Sequence, residues 1–195
     1  MSSPMYITEA IVCGSRHNMT SDKSYLLFTK ELGMLWAVAR SVRMEKSKQR
    51  CAMQDFSVIR ISLVLGKASW RIGSVEALSN PFLASDSRAS RGGVSFVVKA
   101  IRKYVHGEEI VPRTYLDAHA VLLILSSLDD VSMIEVYQQV FVLRMLAELG
   151  YIKTDDVLEA LLKAETIEDA VQLYDVSLDA LLTKSIEHAA EVSHL

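Results

Sequence analysis

Cysteine is scarce in this sequence, and its apolar residues never form a long uninterrupted run. Among its 195 residues there are 2 cysteines, Cys13 and Cys51. Two thiols cannot by themselves complete a tetrahedral zinc site, so we expect neither a structural disulfide nor a bound metal. Charged residues interrupt each apolar stretch before it reaches the roughly 18 residues of a membrane-spanning helix. The sequence therefore predicts a soluble chain that has no membrane segment.

A secretion signal is also missing from the start of the sequence. The segment from Met1 to Tyr6 has no cationic residues followed by a hydrophobic stretch, and Glu9 interrupts the apolar residues between Ile7 and Cys13. A secretory leader requires both of these features. We therefore expect the protein in the cytoplasm.

No arrangement of residues typical of a catalytic site is present. Paired acids such as Asp129 and Asp130 precede predicted helices, where carboxylates more often cap a helix than catalyse a reaction. No Lys-Ser or Lys-Thr follows Gly92 and Gly93, so a phosphate loop is absent. The histidines lack metal-ligand spacing: His17, His106, His119, His188 and His194. We predict a protein that is not an enzyme and that needs no cofactor. A metal-free hydrolase stays a possibility, which a turnover assay tests.

The net charge of −3 hides a strong asymmetry along the chain. Residues 1–103 contain 16 Lys and Arg against 7 Asp and Glu, a balance of +9, whereas residues 104–195 contain 5 against 17, a balance of −12. This asymmetry favours a polyanion-binding N-terminal half and an acidic C-terminal half. The alternative is a pair of solvated surfaces that have no partner.

The N-terminal part has a period of two in its apolar residues, which is typical of short antiparallel strands. Alternate residues from Ile59 to Leu65 form one apolar face, and Arg60 lies on the opposite face. A turn at Gly66 and Lys67 separates this segment from the next. Five strands in so short a stretch indicate an OB-type barrel. The predicted strands are residues 6–16, 24–29, 33–41, 56–65 and 68–77.

The C-terminal part has the apolar period of helices, so the predicted fold class is α+β. Thr154 and Thr166 are predicted N-caps, and Gly150 is a predicted C-cap. The predicted helices are residues 94–105, 115–128, 131–149, 155–164 and 167–190. We predict an OB-fold domain over residues 1–80 and an all-helical domain over residues 81–195, with a polar connector at 81–93.

The strongest local signal is a basic segment, residues 40–50, which contains five cations and one acid. Loops of an OB barrel flank the face on which oligonucleotides lie, so these cations could neutralise several phosphates. The alternative is an ordinary charged surface loop. The residues predicted to bind DNA are Arg16, Lys23, Trp36, Arg40, Arg43, Lys46, Lys48, Arg50, Arg60 and Arg71.

Aromatic residues interleave with these cations and could stack on unpaired bases. At alternate positions of a small barrel, however, an aromatic side chain is more often buried than stacked on a base. Trp36 is the first candidate for stacking, because Met34, Trp36 and Val38 share a strand face that leads into the basic segment. The set comprises Tyr25, Phe28, Trp36, Phe56 and Trp70.

The apolar helix before Gly150 carries one arginine, Arg144. A groove beside this helix could accept the hydrophobic tail of a partner, with Phe141, Arg144 and Met145 in contact and the arginine on the terminal carboxylate. The commoner use of such an arginine is an internal ion pair. Both interpretations stay open.

Taken together, several segments resemble RecO, a family of bacterial recombination mediators. They are Glu9-Ala10-Ile11-Val12, Ser21-Asp22-Lys23, Leu27-Phe28-Thr29-Lys30-Glu31-Leu32-Gly33, Lys46-Ser47-Lys48-Gln49-Arg50, Ala52-Met53-Gln54-Asp55-Phe56-Ser57, Trp70-Arg71-Ile72-Gly73-Ser74-Val75-Glu76 and residues 141–151. The N-terminal correspondence is ordered over some seventy residues, and its specificity comes from the whole set rather than from any one piece. No cysteine follows Cys51, so the zinc segment of many relatives has no counterpart here.

The resemblance implies an OB-fold domain followed by a helical domain, together with binding to single- and double-stranded DNA. It further implies contact with RecR and with the C-terminal tail of the single-strand-binding protein, and help in annealing strands or in loading RecA. A protein-interaction adaptor of the same architecture is the alternative. Salt-dependent binding to oligonucleotides distinguishes the two hypotheses.

Overall fold

The computed structural model describes residues 4–17, 22–40, 51–67, 69–152 and 157–192. Contacts divide the chain into two compact units. The first unit contains Met1–Leu83 with Val105–Ile110, and the second contains Ala84–Tyr104 with Val111–Leu195. No helix within the described ranges is long and apolar enough to cross a membrane.

The first unit is built on five strands, which confirms the five strands predicted for the N-terminal part. They form a closed barrel in the order β1-β2-β3-β5-β4. Closure removes the free edges that an open sheet would present to other chains. The strands are β1 (Met5–His17), β2 (Lys23–Thr29), β3 (Gly33–Ala39), β4 (Val58–Leu65) and β5 (Trp70–Ser79).

The length of β1 allows the barrel to close. Its first half pairs with β4 and its second half pairs with β2, both antiparallel. The register shifts between Val12 and Gly14, and such a bulge bends a strand and increases its twist. The last seam is parallel and joins β3 to β5, where Ala37 faces Trp70 and Val38 faces Arg71. One bent strand thus serves two neighbours.

The period of two that predicted the strands also fills the barrel interior. Ile59, Ile61 and Leu63 of β4 are buried, whereas Arg60 between them is exposed. Leu65, predicted on the same apolar face, is 46% exposed because it lies at the end of β4. Burial of each such side chain contributes about 1.5–3 kcal/mol to folding. The interior cluster also includes Ala10, Val12, Tyr25, Leu27, Leu35, Ala37, Ala39, Met53 and Trp70.

Residues Val105–Ile110 pack with the barrel although they lie well beyond the boundary predicted at residue 80. The indole N–H of Trp70 donates to a carboxylate oxygen of Glu108 at 2.8 Å, and the backbone N–H of Met34 donates to the carbonyl of Gly107 at 2.8 Å. Gly33 has a φ of +66°, and a Cβ placed on it would lie 2.4 Å from the carbonyl oxygen of Glu109. Only glycine permits this close approach.

The second unit is helical, as predicted for the C-terminal part. The structure begins its first long helix at Arg88, inside the connector predicted at residues 81–93. Ser87 explains the difference, because its hydroxyl accepts a hydrogen bond from the backbone N–H of Ser90 at 3.0 Å and so caps that helix. The helices whose bounds lie within the described ranges are α1 (Pro81–Ala84), α2 (Arg88–Tyr104), α3 (Pro112–Ser126), α4 (Val131–Glu148), α5 (Glu159–Lys163), α6 (Ile167–Gln172) and α7 (Asp179–Val192).

The last predicted helix, residues 167–190, is divided in the structure. Thr166 caps α6 through a capping box with Asp169, as predicted, but α6 ends at Gln172. The carboxylate of Asp175 then accepts from the backbone N–H of Ser177 and starts a short 3₁₀ turn, Val176–Leu178, before α7. A side chain that caps a turn competes with helix continuation. Thr154, the other predicted N-cap, lies outside the described residues.

Candidate nucleic-acid interface

The pairing register brings cations from separate strands to one outward row of the barrel. Arg16 of β1 faces Ser24 of β2, and Ser24 faces Val38 of β3. Val38 in turn faces Arg71 of β5 across the parallel seam. Because side chains alternate between the two faces of a strand, these four residues project from the same side of the sheet. We call this side the outer face.

The centre of the outer face is a stacked pair, Arg16 on Trp36. The guanidinium carbon of Arg16 lies 4.2 Å from the centroid of the Trp36 ring, and this ring is 39% exposed. Trp36 is opposite Leu26 in the register, one step from the row that contains Arg16. A cation over an exposed indole ring contributes about 0.5–1 kcal/mol, which orients the guanidinium without neutralising it.

Two further arginines extend the outer face. Arg40 follows the last residue of β3 and is exposed, and Arg71 is exposed on β5. A Cβ placed on Gly66 would lie 3.1 Å from Nε of Arg71, so this side chain lies against the turn between β4 and β5. Among the described residues, no carboxylate forms an ion pair with Arg16, Arg40 or Arg71. No acid of the described ranges thus neutralises these three charges.

Arg60, predicted with the same set, has a different environment. It lies in a row with Glu9 of β1 and Glu76 of β5. Its guanidinium nitrogens lie 3.4 Å from a carboxylate oxygen of Glu9 and 3.5 Å from one of Glu76. Two acids around one cation leave a net negative charge, so Arg60, although outward, adds no net positive charge to the outer face.

Lys23 lies beside a cavity at one end of the barrel. Its ammonium nitrogen is 4.9 Å from the ring centroid of Tyr25, and both residues line the cavity. The volume is about 720 Å³, and the other lining residues are Ser15, His17, Cys51, Met53, Gln54, Asp55, Phe56 and Phe82. Burial, followed by the charge of Asp55, raises the pKa of Tyr25. We refer to this space as the barrel-end cavity.

The other predicted DNA contacts, Arg43, Lys46, Lys48 and Arg50, lie outside the described residues. Of the five aromatic candidates, Tyr25, Phe28 and Trp70 are buried, as expected for most of the set. Phe56 stacks on Phe82 with ring centroids 4.6 Å apart and planes inclined by 16°. Trp36 presents the largest accessible ring of the set on the outer face.

The predicted tail-binding surface in the helical unit requires correction. Phe141, Arg144 and Met145 of α4 are all buried, so none of them is accessible to a partner. Arg144 forms an internal ion pair, in which Nε lies 2.7 Å from Oδ2 of Asp117 on α3. Its Nη1 also donates to the carbonyls of Leu161 and Ala164 at 2.9 and 3.0 Å. Four hydrogen bonds of the guanidinium thus join α3, α4 and the end of α5.

The sequence analysis did not single out several residues of the cavity and of the buried ion pair. The cavity residues Asp55 and Phe82 carry no motif, because an acid before a strand and an aromatic after a proline are common in loops. Asp117 did carry a signal: it is a lone acid in the apolar part of α3, and it complements the lone arginine of α4. Within the described ranges, no cluster of His, Cys, Asp and Glu could hold a metal ion.

Comparison with known proteins gives a partial match. Over 64 residues, the chain is 39% identical to the DNA repair protein RecO of Desulfitobacterium hafniense strain DSM 10664 / DCB-2, and equally to that of strain Y51. The match covers 33% of this chain and 23% of each relative. No protein-family model matches the chain. A similarity of this extent concerns one segment of the chain and a minor part of each relative.

Proposed function

We propose that this protein binds single-stranded DNA on the outer face of an OB-type barrel and serves as an accessory protein in DNA repair and recombination. The observation that carries the proposal is the stack of Arg16 on Trp36, flanked by Arg40 and Arg71. A cation and an accessible ring at one point match the two chemical components of a single strand, phosphate and base.

The barrel order supports this assignment. In OB folds, oligonucleotides lie across the face of the second and third strands and are bordered by the loops after the first and fourth strands. Trp36 lies on β3, and Arg71 lies against the turn that follows β4. The partial similarity to a DNA repair protein was found independently of this geometry.

The test is the salt dependence of binding, measured by fluorescence anisotropy with a labelled single strand. Each phosphate contact on a single strand contributes about 0.7 to the slope of log affinity against log salt. Arg16→Ala, Arg40→Ala and Arg71→Ala combined should therefore lower the slope by about 2. Trp36→Ala should instead weaken binding by about 1–3 kcal/mol, the value of one base stack, with little change in slope.

Arg60→Ala is the matched control. It removes the same charge from the same barrel, but from a guanidinium held between two carboxylates. It should leave both affinity and slope close to those of the parent. The outer face is not the binding surface if the triple variant keeps the parent's slope. The same conclusion follows if Arg60→Ala lowers the slope by as much as each arginine of the triple variant does.

The proposal includes further partners: double-stranded DNA, RecR, the tail of the single-strand-binding protein and, indirectly, RecA. They come from the resemblance to RecO rather than from contacts in this structure. A protein that binds neither single nor double strands at low salt, yet captures RecR, would be an adaptor.

A further inference from the structure

The barrel-end cavity differs from the outer face in its chemistry. The outer face offers cations and one ring, whereas the cavity combines an acid, an amide, an amine and two stacked rings: Asp55, Gln54, Lys23, Phe56 and Phe82. Its volume of about 720 Å³ lies within the range of small-molecule sites, and it exceeds the space that one nucleotide needs. A site for phosphate alone would not include a carboxylate.

We propose that the barrel-end cavity receives one unpaired base of a bound strand and prefers guanine to thymine. This inference rests on the proposed binding of single-stranded DNA and adds base selection to it.

The preference for guanine follows from the hydrogen-bonding capacity of Asp55. An ionised carboxylate only accepts hydrogen bonds, so it selects base edges that donate. Guanine presents two adjacent donors, N1–H and N2–H, which fit the two oxygens of one carboxylate. Thymine presents a single donor, N3–H, flanked by two carbonyl oxygens, and a carboxylate repels these two oxygens. Adenine and cytosine each place one donor beside an acceptor.

Asp55 is held in place by neighbouring elements. The hydroxyl of Ser15 on β1 donates to its Oδ1 at 3.2 Å, and Nδ2 of Asn80 donates to its backbone carbonyl at 3.2 Å. Within the described part of the chain, no cation forms an ion pair with this carboxylate. The acid is thus oriented and still able to accept, as recognition of a neutral donor edge requires.

The adjacent residue, Phe56, gives the cavity an aromatic wall. Its φ of +71° is unusual for a bulky residue, and its backbone N–H donates to the carbonyl of Val12 at the β1 bulge, at 2.8 Å. Backbone strain of this kind persists where the surrounding structure fixes it, often at a binding site. Here it places the Phe56 ring on Phe82, and a base can extend this stack.

The ammonium of Lys23 and the imidazole of His17 can donate hydrogen bonds to the phosphate that accompanies a base. His17 and Lys23 face each other across β1 and β2, and both line the cavity. A nucleotide would then contact rings, carboxylate, imidazole and ammonium together. This combination of groups argues for a nucleotide rather than for an apolar ligand.

The test compares a short thymine-only strand with the same strand carrying one central guanine. The parent should bind the guanine strand about fivefold to a hundredfold more tightly, since one bidentate base contact discriminates by about that factor. Asp55→Asn keeps an oxygen for Ser15 but replaces an acceptor by a donor, so it should bind both strands equally. Glu76→Gln is the matched control for charge, and it should keep the preference.

Two further measurements separate failure of this inference from failure of the proposed function. Circular dichroism establishes that Asp55→Asn is folded, and titration with dGMP and dTMP probes the cavity without a strand. Equal affinity for both strands, or a preference that survives in Asp55→Asn, overturns the inference and leaves DNA binding intact. Selective binding of dGMP without binding of any strand supports the cavity and overturns the proposed function.

Discussion

Replacing Arg144 by methionine should destabilise the helical unit strongly. Arg144 donates to both carboxylate oxygens of Asp117, at 2.7 and 3.1 Å, and to the carbonyls of Leu161 and Ala164. Methionine fills most of the volume but leaves a buried carboxylate and two buried carbonyls without these donors. Breaking one partner of a buried ion pair costs about 3–5 kcal/mol. We expect Arg144→Met to lower the free energy of unfolding by that amount.

The assay can isolate the helical unit. The long helices lie in the second unit, so far-ultraviolet circular dichroism reports mainly on that unit, whereas the fluorescence of Trp36 and Trp70 reports on the first. In urea titrations, the double variant Arg144→Met with Asp117→Leu should recover most of the loss, because apolar side chains replace the pair. Lys163→Ala removes an exposed i,i+4 pair with Glu159 and should cost less than about 1 kcal/mol.

The pH dependence gives an independent check with a definite sign. Burial raises the pKa of Asp117, whereas the hydrogen bond and charge of Arg144 lower it. Without Arg144 the pKa rises further above the unfolded value of 3.8. A carboxyl whose pKa is raised on folding binds its proton more tightly in the folded state than in the unfolded state. It therefore stabilises the fold at a pH below its unfolded pKa, and this contribution is lost as the pH rises through its folded pKa.

The deficit of Arg144→Met should therefore be larger at neutral than at acidic pH, whereas the double variant, which lacks the carboxyl, should not show this difference. A loss below about 1 kcal/mol at neutral pH would refute the reasoning, because the pair would then contribute no more than a surface contact.

Three other predictions concern single positions. Gly33→Ala should cost at least about 1–3 kcal/mol in thermal unfolding, because its φ is positive and its new Cβ would lie 2.4 Å from the carbonyl oxygen of Glu109; an unchanged melting temperature would contradict this. Thr166→Ala should cost about 1 kcal/mol in urea, since it removes the N-cap of α6; an unchanged midpoint would show that the cap is dispensable. Asp55→Asn should lower the pKa of Tyr25 without restoring the usual value, because burial remains the larger cause; ultraviolet titration against Tyr25→Phe checks this shift.

Local periodicity was sufficient to predict the strands and most of the helices. Alternation in β4 depends only on neighbouring residues, and so does the capping box at Thr166. The packing of Val105–Ile110 with the barrel was not predictable in this way, because it depends on contacts such as that between Trp70 and Glu108, which are far apart in sequence. The sequence predicted a connector at residues 81–93, but α2 already begins at Arg88. The two are hard to distinguish because serines that cap a helix have the same composition as a linker.

The candidate site was predictable in its residue types but not in its grouping. Charge counting placed Arg16, Arg60 and Arg71 in one set, because a sequence does not show which carboxylates lie nearby. Register decides this: Arg60 falls between Glu9 and Glu76, while Arg16 falls beside an indole ring. For Arg144 the sequence left a tail-binding role and an internal ion pair open, and the structure shows the ion pair; its partner, Asp117, is distant in sequence and close in space.

The proposed function assigns phosphate binding to Arg16 and not to Arg60, and the reason lies in the neighbours of each guanidinium. Both are outward, and both are oriented by a neighbour. Carboxylates orient Arg60 but occupy its N–H groups and reverse the local charge. The face of Trp36 orients Arg16 through the ring quadrupole, so the N–H groups in the guanidinium plane can still donate to phosphate. In the proposed function, the position of a DNA strand on the barrel therefore depends on which cations have no carboxylate neighbour. The number of cations alone does not determine it.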